Sequence, residues 1–118
     1  MTPIDKTELQ QELARFRGHD VYLHFETTTG TYTALGPEKT FPVVAFVRNA
    51  KVRFERGSVR GAGPYRVGLK MDDGWIYGDG LTHTARHGDD ALLMAGYDDS
   101  GRLRIGLQLS FVPFREDA

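Results

Sequence analysis

Five residues of this chain carry side chains that together could hold a flat, anionic small molecule: Arg48, Tyr65, Arg66, Trp75 and Tyr77. Tyrosine and tryptophan offer wide rings with a polar edge, a surface suited to a sugar or another flat polar ligand. Arginine offers a planar fork that matches a carboxylate or a phosphate. Four of the five fall within residues 63–82, GPYRVGLKMDDGWIYGDGLT. Arg48 stands apart, inside an apolar run. If that run is one unbroken strand from Val44 to Phe54, Arg48 points to the face carrying Val44, Phe46, Ala50, Val52 and Phe54. A buried guanidinium there needs a carboxylate partner, from Glu26 or from a ligand. If Arg48-Asn49 is a turn or a bulge, the guanidinium is solvated. The sequence leaves both arrangements open.

Catalytic chemistry has little support. The serines are Ser58, Ser100 and Ser110, and none sits in a G-x-S-x-G elbow. The segment GSVRGAG, residues 57–63, matches neither a phosphate-binding loop nor a dinucleotide fingerprint. Cysteine is absent, which removes thiol catalysis, disulfides and cysteine metal sites. His83 and His87 are spaced to share a metal only on a helix, and their surroundings, LTHTARHGDD, read as a loop. His24 and Glu26 lie on one strand face without a third ligand nearby in sequence. The expectation is therefore no catalytic residue, no metal and no cofactor.

Charge supplies a second clue. The net charge is −1, with no global pull toward nucleic acid or membrane. Locally it is polarised: Arg48 to Met71 holds seven basic residues and one acid, net +6, whereas Asp72 to Asp99 is net −6. The two blocks either neutralise each other on neighbouring strands, or the basic one holds an anionic ligand or an acidic partner. Single-strand nucleic acid would need a basic groove with stacking aromatics, which the block meets only in part, so nucleic acid is not the expected partner. No apolar run approaches the roughly 20 residues of a membrane helix, and MTPIDKTELQQ lacks the apolar core of a signal peptide. The expected location is the cytoplasm.

The elements that must position these groups follow from periodicity. The 118 residues read as one domain. Thr2-Pro3 predicts a helix start, and Ile4, Leu9, Leu13 and Phe16 recur at helical spacing, so one amphipathic helix is expected over about residues 3–17, stopped by Gly18. Strands follow over about residues 20–114, with a loose tail after them. Val21, Leu23 and Phe25 alternate with polar residues, Thr27 to Gly30 reads as a turn, and Thr31 to Ala34 as its partner strand. Arg56-Gly57-Ser58 reads as a turn. Ala91–Tyr97 and Arg102–Phe111 form a hairpin around Asp98-Asp99-Ser100-Gly101, and Leu103, Ile105, Leu107, Leu109 and Phe111 give the cleanest period of two. Asp72-Asp73-Gly74 marks a further hairpin. A three-residue loop there would place Tyr65, Val67, Leu69, Met71, Trp75 and Tyr77 on one face and Arg66, Gly68 and Lys70 on the other; a two-residue turn would instead bring Lys70 opposite Tyr77. The first segregates polarity better and is preferred. The fold class is mainly β: an antiparallel meander closing into a small, partly open β-barrel with one N-terminal α-helix.

Five segments, VYLHFETTTGTYT (21–33), FVRNAKVRFERG (46–57), GPYRVGLK (63–70), GWIYGDGLTH (74–83) and LQLSF (107–111), make the chain resemble the YojF-like family, over roughly residues 3–114. That family is a set of bacterial proteins of unknown function, often encoded beside a metal-dependent deacetylase of the bacillithiol pathway. The resemblance implies a β-barrel-like fold and a pathway, and it transfers no catalytic residue. It leads to the expectation of a non-catalytic accessory or interaction protein, a homodimer that contacts the deacetylase. The alternative is a binding module for a small anionic metabolite such as an amino-sugar conjugate.

Overall fold

The structure is a computed structural model, and it describes residues 1–28 and 43–115. Thr2–Pro3 forms a short strand, β1. Helix α1 then spans Lys6–Phe16. Its N-cap is Asp5, whose carboxylate accepts from the Glu8 N–H at 3.0 Å. The expected cap at Thr2 is thus displaced by three residues. Proline suits the edge of a sheet as well as the first turn of a helix, and an acidic side chain at Asp5 is the stronger cap. Leu9, Leu13 and Phe16 are fully buried, at the spacing of one helical face.

Eight further strands follow: β2 (Val21–Thr28), β3 (Val43–Val52), β4 (Arg56–Gly61), β5 (Tyr65–Lys70), β6 (Trp75–Leu81), β7 (His83–His87), β8 (Ala91–Tyr97) and β9 (Leu103–Ser110). All pairings are antiparallel. One sheet has the order β1-β7-β8-β9-β2-β3 and the other β4-β5-β6. The chain passes between sheets at two corners, Arg53–Glu55 and Thr82. The described strands form two sheets without ladder closure, the open form of the expected barrel. A hollow of about 400 Å³ lies along the seam where Tyr77, Asp79 and Gly80 of β6 face Phe25, Thr27, Thr28, Arg104 and Ile105.

One core fills the space between the sheets and α1. It includes Val59, Val67, Leu69 and Leu81 from the small sheet, Leu23, Leu92, Met94, Leu107 and Leu109 from the large one, and Phe54 from the first corner. The expected regular face of β9 is the buried one, with Ile105 at 7% and Leu107 at 0% exposure. The edge of β4 is sealed by α1. The Gln10 amide donates to the Gly57 carbonyl and accepts from the Val59 N–H at 2.9 Å, so one side chain does the work of a strand partner. Lys6 Nζ adds a bond to the Gly61 carbonyl at 3.2 Å.

Several expected elements are revised. Residues 56–58 belong to β4, and the turn lies one step earlier, where buried Phe54 anchors the corner. Thr27 and Thr28 extend β2, pairing with Ile105, Ala45 and Val43. His83–His87 is a strand, held by β8 and capped at its start by β1. The expected strand at Thr31–Ala34 lies outside the described residues, as does the tail beyond Arg115. The 65–81 hairpin pairs Lys70 with Trp75 and Gly68 with Tyr77, closed by a Met71 N–H bond to the Gly74 carbonyl at 2.8 Å. Neither expected closure has that register. Trp75 and Tyr77 therefore share a face with Arg66, Gly68 and Lys70, not with Val67 and Leu69. The core takes Leu69 with Ile76, and Val67 with Gly78, because an indole has no room under Leu107, which already lies against Gly78.

Two glycines give a test of the packing. A Cβ on Gly96 would fall on the Gly80 carbonyl oxygen, whereas one on Gly74 would meet nothing within 4 Å. Gly96→Ala is expected to cost about 3 kcal/mol or more, and Gly74→Ala less than about 0.5 kcal/mol. Urea denaturation midpoints of the two variants check this; equal midpoints would contradict the close approach. Leu107→Ala should cost about 2–5 kcal/mol by the same measurement.

Candidate functional site

The solvent face of the β4-β5-β6 sheet is built by alternation. Inward positions carry Val59, Val67, Leu69 and Gly78, all buried. Outward positions carry Arg56, Ser58 and Arg60 on β4, Arg66, Gly68 and Lys70 on β5, and Trp75, Tyr77 and Asp79 on β6. Register stacks them in rows across the sheet: Arg56–Lys70–Trp75, then Ser58–Gly68–Tyr77. Arg60 lies directly opposite Arg66, and Arg66 reaches Asp79. All of these residues except Lys70 border a cavity of about 530 Å³.

Gly68 makes the floor. A Cβ there would lie 3.0 Å from Tyr77 Cε1 and 3.4 Å from Trp75 Cε3, so its missing side chain lets the rings settle over the middle strand. Trp75 and Tyr77 are stacked, with centroids 5.4 Å apart and planes 8° from parallel. Each has a guanidinium over it: Arg56 lies 5.5 Å from the Trp75 ring and Arg66 5.6 Å from the Tyr77 ring. Arg66 also donates two bonds to Asp79 Oδ2, at 2.8 and 3.2 Å. That contact raises the Arg66 pKa and, with the Gly80 N–H, holds the Asp79 carboxyl below its ordinary range. Lys70 pairs with Glu55 at 2.7 Å, and the bond lowers the Glu55 pKa. Arg60 and Arg56 have no hydrogen-bond or ion-pair partner among the described residues; Arg56 lies over the indole and is attracted by the Glu55 carboxylate that Lys70 holds. The cation over Tyr77, which the two-residue turn would have made Lys70, is Arg66.

Of the five residues singled out from sequence, Arg66, Trp75 and Tyr77 meet here. Tyr65 is half-buried against the core on the other side of its strand. Arg48 belongs to the other sheet, at a bulge where β3 shifts register against β2 and Asn49 takes φ 56°. The bulge, not the unbroken strand, is the arrangement adopted. Arg48 Nη2 donates to the Arg115 carbonyl at 2.9 Å, and its guanidinium lies 5.0 Å from the Phe114 ring. Asn49 and Phe114 exchange two bonds, at 2.7 and 2.8 Å, so the bulge clasps residues 114–115. Arg56, Ser58 and Arg60 are the residues that sequence reading missed. Their period of two was visible, but Gly57-Ser58 suggested a turn and hid it.

His24 sits under the clasp, 5% exposed. Arg48 Nη1 lies 3.2 Å from His24 Nδ1; an arginine only donates, so Nδ1 accepts and the ring hydrogen is on Nε2, 3.6 Å from Glu26 Oε1. Burial, aided by Arg48, lowers the His24 pKa against an opposing pull from Glu26. His83 and His87 stand on one strand, roughly 13 Å apart by strand rise, too far to share an ion. His83 instead contacts Thr82 and the Tyr97 ring. Among the described residues no cluster of three or more metal-ligating side chains occurs.

The His24 environment sets a pH dependence. Above its ordinary value of about 6.5 the ring is neutral folded and unfolded, and contributes nothing to the slope. As pH falls below that value, the unfolded chain takes up a proton that the folded chain declines, so stability is lost, and the loss is complete below the lowered folded pKa. Denaturation midpoints should therefore fall between about pH 7 and pH 5, and His24→Gln should flatten that slope. An unchanged slope in a folded variant would show that His24 is not the titrating group.

Comparison with known proteins gives a consistent result. Residues 3–114 match the family described as protein of unknown function, DUF1806. The uncharacterized protein YojF of Bacillus subtilis (strain 168) is 48% identical over 114 residues, covering 97% of this chain and 98% of the relative. The crystal structure of the Bacillus subtilis YojF protein shares the fold with a TM-score of 0.82 at 44% identity, over 98% of this chain and 97% of that one.

Proposed function

The chain belongs to the DUF1806 family of unknown function, and on that premise we propose that it is a non-catalytic binding protein for a small anionic metabolite. The observation that carries this reading is the solvent face of β4-β5-β6, where Arg56, Arg60 and Arg66 converge with Trp75 and Tyr77 on one cavity. Trp75 is 39% and Tyr77 51% exposed, an unusual exposure for two large rings that lean over the middle strand of a sheet. Rings that pin guanidiniums over a glycine floor pre-pay the ordering cost of an anion site. The YojF-like resemblance, with its neighbouring deacetylase, names the first ligands to try: glucosaminyl malate, its acetylated form and bacillithiol. A cytoplasmic location is part of the same proposal.

A second reading rests on a different surface. On β3, one of the two outer strands of the large sheet among the described residues, Val44 is 68%, Phe46 57% and Val47 40% exposed. Such an apolar edge suits a protein partner, either a second copy of the chain or the deacetylase, and would make the protein an accessory subunit.

Trp75 is the sole tryptophan, so its indole reports on the cavity directly. Titration with each of the three metabolites should shift the Trp75 indole resonance, with an affinity that weakens as salt is raised. No shift at millimolar concentration of all three, with specific capture of the deacetylase, would favour the accessory role.

A further inference from the structure

We infer that the ligand of this face carries two anionic groups held apart by a neutral, polar spacer, and that Arg56 and Arg60, not Arg66, receive them. The inference deepens the binding reading above and depends on it. It starts from register. Arg56 lies directly opposite Lys70, and Arg60 directly opposite Arg66. Like charges directly opposite on neighbouring strands repel. Each pair has one carboxylate: Glu55 on Lys70 at 2.7 Å, and Asp79 on Arg66 at 2.8 Å. Each row is therefore left with one unbalanced cation. In the first row Glu55 attracts both cations but is hydrogen-bonded to Lys70, so the one left without such a bond among the described residues is Arg56, which lies over the Trp75 ring. In the second it is Arg60, without a partner among the described residues.

The row between them is uncharged: Ser58, Gly68 and Tyr77. Arg56 and Arg60 are four residues apart on one strand, roughly 13 Å between Cα atoms. Ser58 stands midway on the same face. Two anions at the ends and a hydrogen-bonding spacer in the middle match this order of donors. Arg66 already spends two N–H bonds on Asp79 and stacks on Tyr77, so it is a positioning residue and not the primary anion contact. The rings serve the same end. Each already has a guanidinium over it, so their role is to aim arginines and not to stack on a base.

A chain-length series tests this. Trp75 fluorescence is titrated with succinate, adipate, sebacate and dodecanedioate, each against the matching monocarboxylate, with inorganic phosphate and fructose 1,6-bisphosphate as the phosphate arm. Affinity should rise with separation of the two ends and exceed the monocarboxylate by about tenfold, equivalent to about 1.4 kcal/mol. Arg56→Ala and Arg60→Ala should each reduce the best dianion to the monoanion level, with Lys51→Ala unchanged as a control. Asp79→Asn should tighten binding several-fold, since it frees a third guanidinium. Equal affinity along the series, or full binding in both Arg56→Ala and Arg60→Ala, would overturn the inference while leaving the binding role standing. No response to any of these anions, together with none to the three metabolites named above, would remove the binding role itself. Oligothymidylate binding more tightly than every dianion would also overturn the inference, in favour of a polyanion.

Discussion

The two sheets touch at a point where there is no room for a side chain, and the rest of the architecture depends on that contact. Gly96 of β8 lies against the Gly80 carbonyl of β6, and Gly80 itself has φ 78°. One residue later the chain leaves the small sheet. Thr82 fixes the corner: its N–H bonds to the Ala95 carbonyl at 2.9 Å, and its hydroxyl accepts from the Tyr97 N–H at 3.2 Å. The Ile4 N–H bonds to the Thr82 carbonyl at 3.0 Å, so the N-terminal segment is tied to the same corner. A larger residue at Gly96 would force the sheets apart, and the leucines of β8, β9 and β5 would lose contact together. The corner also decides which way β6 faces. With Leu81 and Gly78 directed at β8 and β9, Trp75, Tyr77 and Asp79 must point to solvent.

The sequence made the elements easier to read than their faces. The β9 alternation and the 98–101 turn identify the second hairpin, because every second residue is a large aliphatic and the turn has Asp and Gly. The helix was legible from Leu9, Leu13 and Phe16. The face of the first hairpin was not, since segregating polarity grouped the aromatic rings with Val67 and Leu69. Trp and Tyr are amphipathic, and on a strand where the opposite positions are Ile76 and Gly78 they can stay outside. One glycine misled as well. Gly57 suggested a turn, yet it is buried in a strand because a Cβ there would press on Leu13 of α1 at 3.0 Å. The His83–His87 strand was read as a loop because its side chains are polar; its ladder comes from the adjacent strand β8 and from β1, which is remote in sequence.

The candidate site was legible in composition and illegible in membership. The excess of basic residues and the aromatics were visible in one stretch of sequence, and Arg66, Trp75 and Tyr77 do meet. Arg48 was drawn in by alternation, but the bulge at Asn49 resets the period after it. The unpaired cations Arg56 and Arg60 could be recognised only once register showed which charges face each other. Pairing across strands, not spacing along the chain, distinguishes a neutralised arginine from a free one.

The position of this face relative to the core separates binding from folding. Every outward residue of the face has an inward neighbour that carries the packing: Val59 between Ser58 and Arg60, Val67 and Leu69 beside Gly68, and Gly78 beside Tyr77. The exposed edge of β4 is closed from behind by Gln10, so the site side of the sheet is not needed to protect its backbone. Removing Arg60 or Tyr77 should therefore leave the core intact. What the unliganded face does carry is cost: two exposed rings and two like-charge cross-strand pairs, only half compensated. A structure with no use for that surface could lower its free energy by exchanging one arginine in each row. Keeping all four cations on two adjacent strands makes sense if something negatively charged settles there, and the relief of that repulsion then appears as binding energy.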